Sequence, residues 1–114
     1  MFSFVIFSEE PDFATQIEKQ IMASGEARVV AVISEPALLL GALKSEKPEG
    51  LFVDLGYAPH VVLDLLESLS AGLPLTLVSG PHTESLLILR AMHLGVRHFF
   101  SRAPSEAELN SVIA

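Results

Sequence analysis

LFVDLGYAP, residues 51–59, is the stretch on which the fold turns. Leu51, Phe52 and Val53 run without a break into Asp54, and Gly56 and Pro59 close the segment. A short continuous apolar run bounded by turn residues reads as a strand covered on both faces. A carboxylate is costly to bury. Asp54 therefore belongs at the exit of such a strand, at the rim of a crevice rather than in mid-sheet.

Similar runs recur along the chain, at residues 2–8, 28–34, 75–79 and 97–101. Between them lie longer segments of helical character. Residues 12–23 carry Phe13, Ile17, Ile21 and Met22 at helical spacing, and Gly25 ends them. Ser34 or Glu35 opens a second helix with Pro36 in its first turn, where proline is tolerated. That helix runs through LLLGALKSEK until Pro48 and Gly50 stop it. Further helices are expected at 59–71, ended by Gly72, at 83–94, ended by Gly95, and from Pro104 through SEAEL. Alternating strands and helices imply a parallel sheet with helices on both faces. For one domain of 114 residues the expected closure is a doubly wound, flavodoxin-like α/β sheet of order 2-1-3-4-5. Ligands then sit outside the carboxyl ends of the strands, at the switch point between strands one and three. Those two ends are Ser8-Glu9-Glu10 and Asp54. Two readings of Asp54 stay open: a chemical role in that crevice, or capping of the loop that follows it.

Half of the residues are hydrophobic and 18% are charged, so a full core is expected and disorder is not. The net charge of -7 gives no electrostatic reason to seek nucleic acid or an anionic membrane. The seven cations, Lys19, Arg28, Lys44, Lys47, Arg90, Arg97 and Arg102, are scattered. Absence of cysteine excludes disulfides, thiolate zinc sites and cysteine nucleophiles, and is compatible with a cytoplasmic location. The apolar start MFSFVIFSEEP lacks a basic region and turns acidic too early for a signal peptide. No apolar run approaches the ~20 residues of a membrane span.

FVDLGYAP, LTLVSG and RAMHLGVRHFF, taken in this order, resemble the receiver domain of bacterial response regulators (CheY-like) over essentially the whole chain. The resemblance makes Asp54 the candidate acceptor of a phosphoryl group from a histidine kinase. It makes Ser79 the hydroxyl that ends strand four, and Phe99 the switch aromatic. In that family an acidic cluster after strand one binds Mg2+, which here implies Glu9 and Glu10 together with Asp54. The chain departs from the pattern at three places, one being the proline after the acceptor loop, which is shifted or lost with Ala58-Pro59 there. Ser8 stands where the family has an acid, and Arg102-Ala103 stands where it has Lys-Pro, with Pro104 one position late. Mg2+ demands strict octahedral geometry, and arginine is not a neutral exchange for lysine. The expectation is an atypical receiver that keeps the fold for protein contacts and is no enzyme. The alternative is a working phosphoacceptor using Asp54, Ser79 and Arg102. A flavodoxin-like ligand binder is a third class, opposed by SEEPDF, which would repel phosphate rather than cradle it.

The fourth helix reads SLLILRAMHLG. Four consecutive apolar residues, Leu86 to Leu89, point in every direction within a turn, whereas an amphipathic helix needs one stripe. VVLDLLESL and ALLLGAL show the same excess. One reading is an interface for a protein partner or a homodimer around helix four and strand five, with Leu86, Leu89, Arg90 and His93. The other is a broad buried stripe with an occasional exposed leucine. His60, His82, His93 and His98 match no metal-ligand spacing. The chain stops in helical register without a capping glycine. The expectation is the N-terminal domain of a longer protein. Degenerate receivers of this kind stand at the front of pilus-assembly ATPases of the CpaE/TadZ type.

Overall fold

The computed structural model describes residues 2–56, 58–69, 72–81, 84–101 and 104–113. Strands and helices alternate from first to last: β1 (Phe2–Phe7), α1 (Pro11–Ala23), β2 (Ala27–Ile33), α2 (Pro36–Glu46), β3 (Gly50–Asp54), α3 (Pro59–Ser68), β4 (Leu75–Ser79), α4 (Ser85–His93), β5 (His98–Phe100) and α5 (Glu106–Ile113). The strands form one parallel sheet in the order β2-β1-β3-β4-β5, as the sequence led us to expect.

The continuous apolar runs are explained by two cores, one on each face of the sheet. Val5, Phe7, Leu51, Val53, Val78 and Phe99 pack under α2, α3 and α4. Their neighbours Phe4, Ile6, Phe52, Leu77 and Phe100 pack under α1 and α5. Successive residues of a strand point to opposite faces, so each strand feeds both layers and none needs a polar side.

Helix boundaries follow local chemistry. Pro11, Pro36 and Pro59 each open a helix, where a missing N–H costs nothing. α5 opens with a reciprocal cap: the Glu108 N–H donates to Ser105 Oγ at 3.1 Å, and the Ser105 N–H donates to Glu108 Oε1 at 3.0 Å. α2 ends one residue earlier than the sequence suggested. Lys47 adopts a left-handed conformation (φ 46°) and Pro48 follows, which disfavours continuing the helix. At the start of β3, Gly50 lets the ring of Phe4 lie against the backbone. A Cβ there would sit 2.6 Å from a ring carbon.

Candidate functional site

β1 and β3 are neighbours whose following connections diverge, so their carboxyl ends open the crevice expected at a switch point. Asp54 is the last residue of β3 and only 6% exposed. Ser8 follows β1 directly and is 1% exposed. The Ser8 hydroxyl donates to Asp54 Oδ2 at 2.8 Å. The Gly56 N–H donates to Asp54 Oδ1 at 3.0 Å. Each carboxylate oxygen thus has a donor, which is what a buried carboxylate requires. Gly56 takes a left-handed φ of 61°, a conformation that glycine adopts without a Cβ penalty and that turns its N–H back onto Asp54.

Ser8 is itself held by the loop. The Glu10 N–H donates to Ser8 Oγ at 3.1 Å, and the Glu10 carbonyl lies 3.2 Å from the same oxygen. A hydroxyl has one proton. The shorter contact, to an ionised acceptor, takes it, because charge-assisted hydrogen bonds are the stronger class. One Asp54 oxygen thus caps its own loop, and the other is bonded across the switch point.

Ser79 ends β4 and pairs in register with Asp54 on the adjacent strand. It is completely buried, and its hydroxyl has no hydrogen-bond partner among the described residues. Asp54, Gly56, Gly80 and Pro81 line a small cleft of about 110 Å³ beside it. Phe99, on β5, is 8% exposed and belongs to the core under α2, α3 and α4. Arg102, expected to supply the cation of this site, lies outside the described residues, as does His82.

The acids expected to hold Mg2+ do not come together. Glu9 is exposed and Glu10 half-buried, and among the described residues no group of three or more His, Asp or Glu is placed to hold a metal ion. Asp54 Oδ2 accepts from a neutral hydroxyl where a second carboxylate would be needed. Mg2+ takes hard oxygen ligands in strict octahedral geometry, usually with one or two carboxylates. This donor set does not fit it.

The candidate interface behaves differently. Leu86 is 68% exposed and Leu89 is 56% exposed, while Leu87 between them is fully buried. Val61 on α3 (64%) and Met92 on α4 (45%) are exposed as well. His93 is exposed as well. Arg90 ties α4 to α3. Its Nη2 donates to Asp64 Oδ1 at 2.6 Å and lies 3.5 Å from Glu67 Oε2. The hydrogen bond to Asp64 is the main reason that its guanidinium is held above its ordinary range. Arg90 Nη1 also lies 3.1 Å from His60 Nδ1. A guanidinium can only donate, so Nδ1 accepts in this contact, and His60 Nε2 lies 3.4 Å from Glu84 Oε2.

Sequence reasoning missed this staple and the Ser8–Asp54 bond. The acids Asp64 and Glu67 were visible three apart on one helix, but nothing in the sequence sets the register between α3 and α4. Ser8 was visible only as a lost carboxylate, not as a donor.

No family model matches the chain, and none of the curated proteins compared with it matches. Solved structures do. A response regulator receiver domain protein from Clostridium thermocellum superposes with a TM-score of 0.85 at 13% identity, over 99% of this chain and 91% of its own. A CheY-like protein (tadZ) from Pseudomonas aeruginosa gives 0.76 at 23% identity, over 99% and 91%. A protein described as a pilus assembly protein (cpaE), from Burkholderia thailandensis, gives 0.83 at 20% identity, over 99% and 95%. At such identities it is the architecture that is shared: this chain has the CheY-like fold of response regulator receiver domains.

Proposed function

We propose that the chain is an atypical receiver, a signalling module that works through protein contacts in the dimerisation or localisation of a bacterial protein, without catalytic turnover. The observation that carries this reading is the bond from Ser8 Oγ to Asp54 Oδ2 at 2.8 Å. It satisfies the buried carboxylate with a neutral donor at the position where the receiver pattern has a metal-binding acid. The exposed leucines of α4 supply a surface for contacts. No helix among the described residues is long and apolar enough to cross a membrane.

A second reading, a phosphoacceptor that uses Asp54, is favoured by Ser79. A fully buried hydroxyl without a described partner, beside a cleft lined by Asp54, is a donor waiting for an acceptor oxygen. In that case an Asp54 oxygen attacks the phosphorus of a donor, the bond from phosphorus to the donor breaks (P–N in a phosphohistidine, P–O in acetyl phosphate) with its electron pair leaving on the donor, and an aspartyl phosphate forms.

The two readings separate in one experiment: intact-protein mass after incubation with acetyl phosphate and Mg2+, beside Asp54→Asn. The atypical receiver gives no adduct on either protein. A phosphoryl adduct on the wild type alone establishes the second reading.

A further inference from the structure

We propose that His60 is a proton-operated latch between α3 and α4: neutral, it accepts from Arg90, and protonated, it releases Arg90 and pairs with Glu84.

The ring stands between two groups of opposite charge. Arg90 Nη1 lies 3.1 Å from Nδ1, and Glu84 Oε2 lies 3.4 Å from Nε2. The two contacts make opposite demands on the ring. A guanidinium can only donate, so its contact needs a bare Nδ1. An imidazolium carries a proton on both nitrogens. It cannot accept from Arg90, and the two like charges repel. The same positive charge turns the contact with Glu84 into an ion pair. Proton uptake therefore shifts the ring from one neighbour to the other. Histidine is the side chain whose ordinary charge change falls between about pH 5 and pH 8.

The surrounding charges give the exchange two definite ends. Arg90 has Asp64 at 2.6 Å and Glu67 at 3.5 Å to hold it once the ring lets go. Glu84 immediately precedes α4 and makes no side-chain capping bond, so capping does not compete for its carboxylate. His93 lies one turn beyond Arg90 on α4. On the other flank of α3, α2 opens after Glu35. At the end of β3, Asp54 is buried and bonded to Ser8 and Gly56. Both nitrogens of His60 are engaged on the α4 side.

The latch has a definite place in the fold. His60 follows the loop that leaves Asp54, and Glu84 follows the loop that leaves Ser79. The cleft lined by Asp54, Gly56, Gly80 and Pro81 lies between those loops. Falling pH thus exchanges a tie to the body of α4 for a stronger tie from loop to loop beside the cleft. The exchange requires neither reading of Asp54.

The test follows the His60 ring resonances of the isotope-labelled chain from pH 5 to pH 9, in the wild type, Arg90→Ala and Glu84→Gln. Arg90→Ala removes a cation and should raise the titration midpoint. Glu84→Gln removes an anion and should lower it. Each change should be roughly 0.2–0.7 pH units and should shrink with added salt. Thermal melts read the latch itself. The melting-temperature loss from Arg90→Ala should be smaller at pH 5.5 than at pH 8.5, and should be the same at both in a His60→Ala background. A midpoint unmoved by either substitution, a shift in the reverse direction, or an Arg90→Ala loss as large at pH 5.5 as at pH 8.5 in the wild-type background would overturn the proposal.

Discussion

The Ser8 hydroxyl and the Asp54 carboxylate are bonded across the switch point of the sheet at 2.8 Å, both buried. Ser8→Ala removes one donor from a buried carboxylate oxygen. A hydrogen bond to a charged group contributes roughly 1.5–3 kcal/mol, and urea unfolding of Ser8→Ala should show a loss in that range. The loss should largely vanish in an Asp54→Ala background, because no carboxylate is then left to satisfy.

Ser8→Asp asks the complementary question. It places a second carboxylate against Asp54, and two like charges in one buried site repel. In the absence of metal the variant should melt below the wild type. Added Mg2+ should raise its melting temperature and leave that of the wild type unchanged. A wild-type melting temperature that rises with Mg2+ would mean that Ser8 yields to a metal after all.

The sheet order was legible because every strand carries apolar residues for both faces, and because Gly25, Pro36, Pro48 and Gly95 punctuate the runs. Asp54 was legible as a site for the same reason: a carboxylate at the end of an apolar run needs a partner. The identity of that partner was not. Ser8 and Asp54 are separated by 46 positions, and only the parallel pairing of β1 with β3 brings them within bonding distance. Gly50 illustrates the same limit. In the sequence it reads as a helix stop, yet in the fold it is the first residue of β3, where a Cβ would strike Phe4. Overpacking of this kind costs roughly 1–3 kcal/mol, so Gly50→Ala should lower the urea midpoint by a corresponding amount without changing the m-value.

Arg90 joins α4 to α3 through groups that are themselves solvent-exposed, Asp64 at 72% and Glu67 at 67%. Such pairs are weakened by salt. Arg90→Ala should therefore lower the melting temperature in dilute buffer, and the difference should shrink as sodium chloride is added. The pH dependence has a definite sign. The guanidinium is held above its ordinary, already strongly alkaline range, so as far as its own proton is concerned its contribution is complete through neutral pH and fades only in strong alkali. Between pH 8 and pH 9, above the ordinary imidazole range, the Arg90→Ala difference should be flat, within the error of a thermal melt.

Leu86 and Leu87 are adjacent in sequence and opposite in environment, 68% exposed and fully buried. Composition cannot separate them, since every residue from Leu86 to Leu89 is apolar. The separation comes from the 100° step between neighbours on a helix that packs on the sheet by one side only. Leu87→Ala opens a cavity in the core shared with Leu63 and Val78 and should cost about 2–5 kcal/mol in urea unfolding. Leu86→Ser touches solvent and should stay within about 0.5 kcal/mol of the wild type. A large loss from Leu86→Ser would mean that this leucine is already covered, by a second copy of the chain. Its stability would then depend on protein concentration, and an unfolding midpoint measured over a range of concentrations would reveal it.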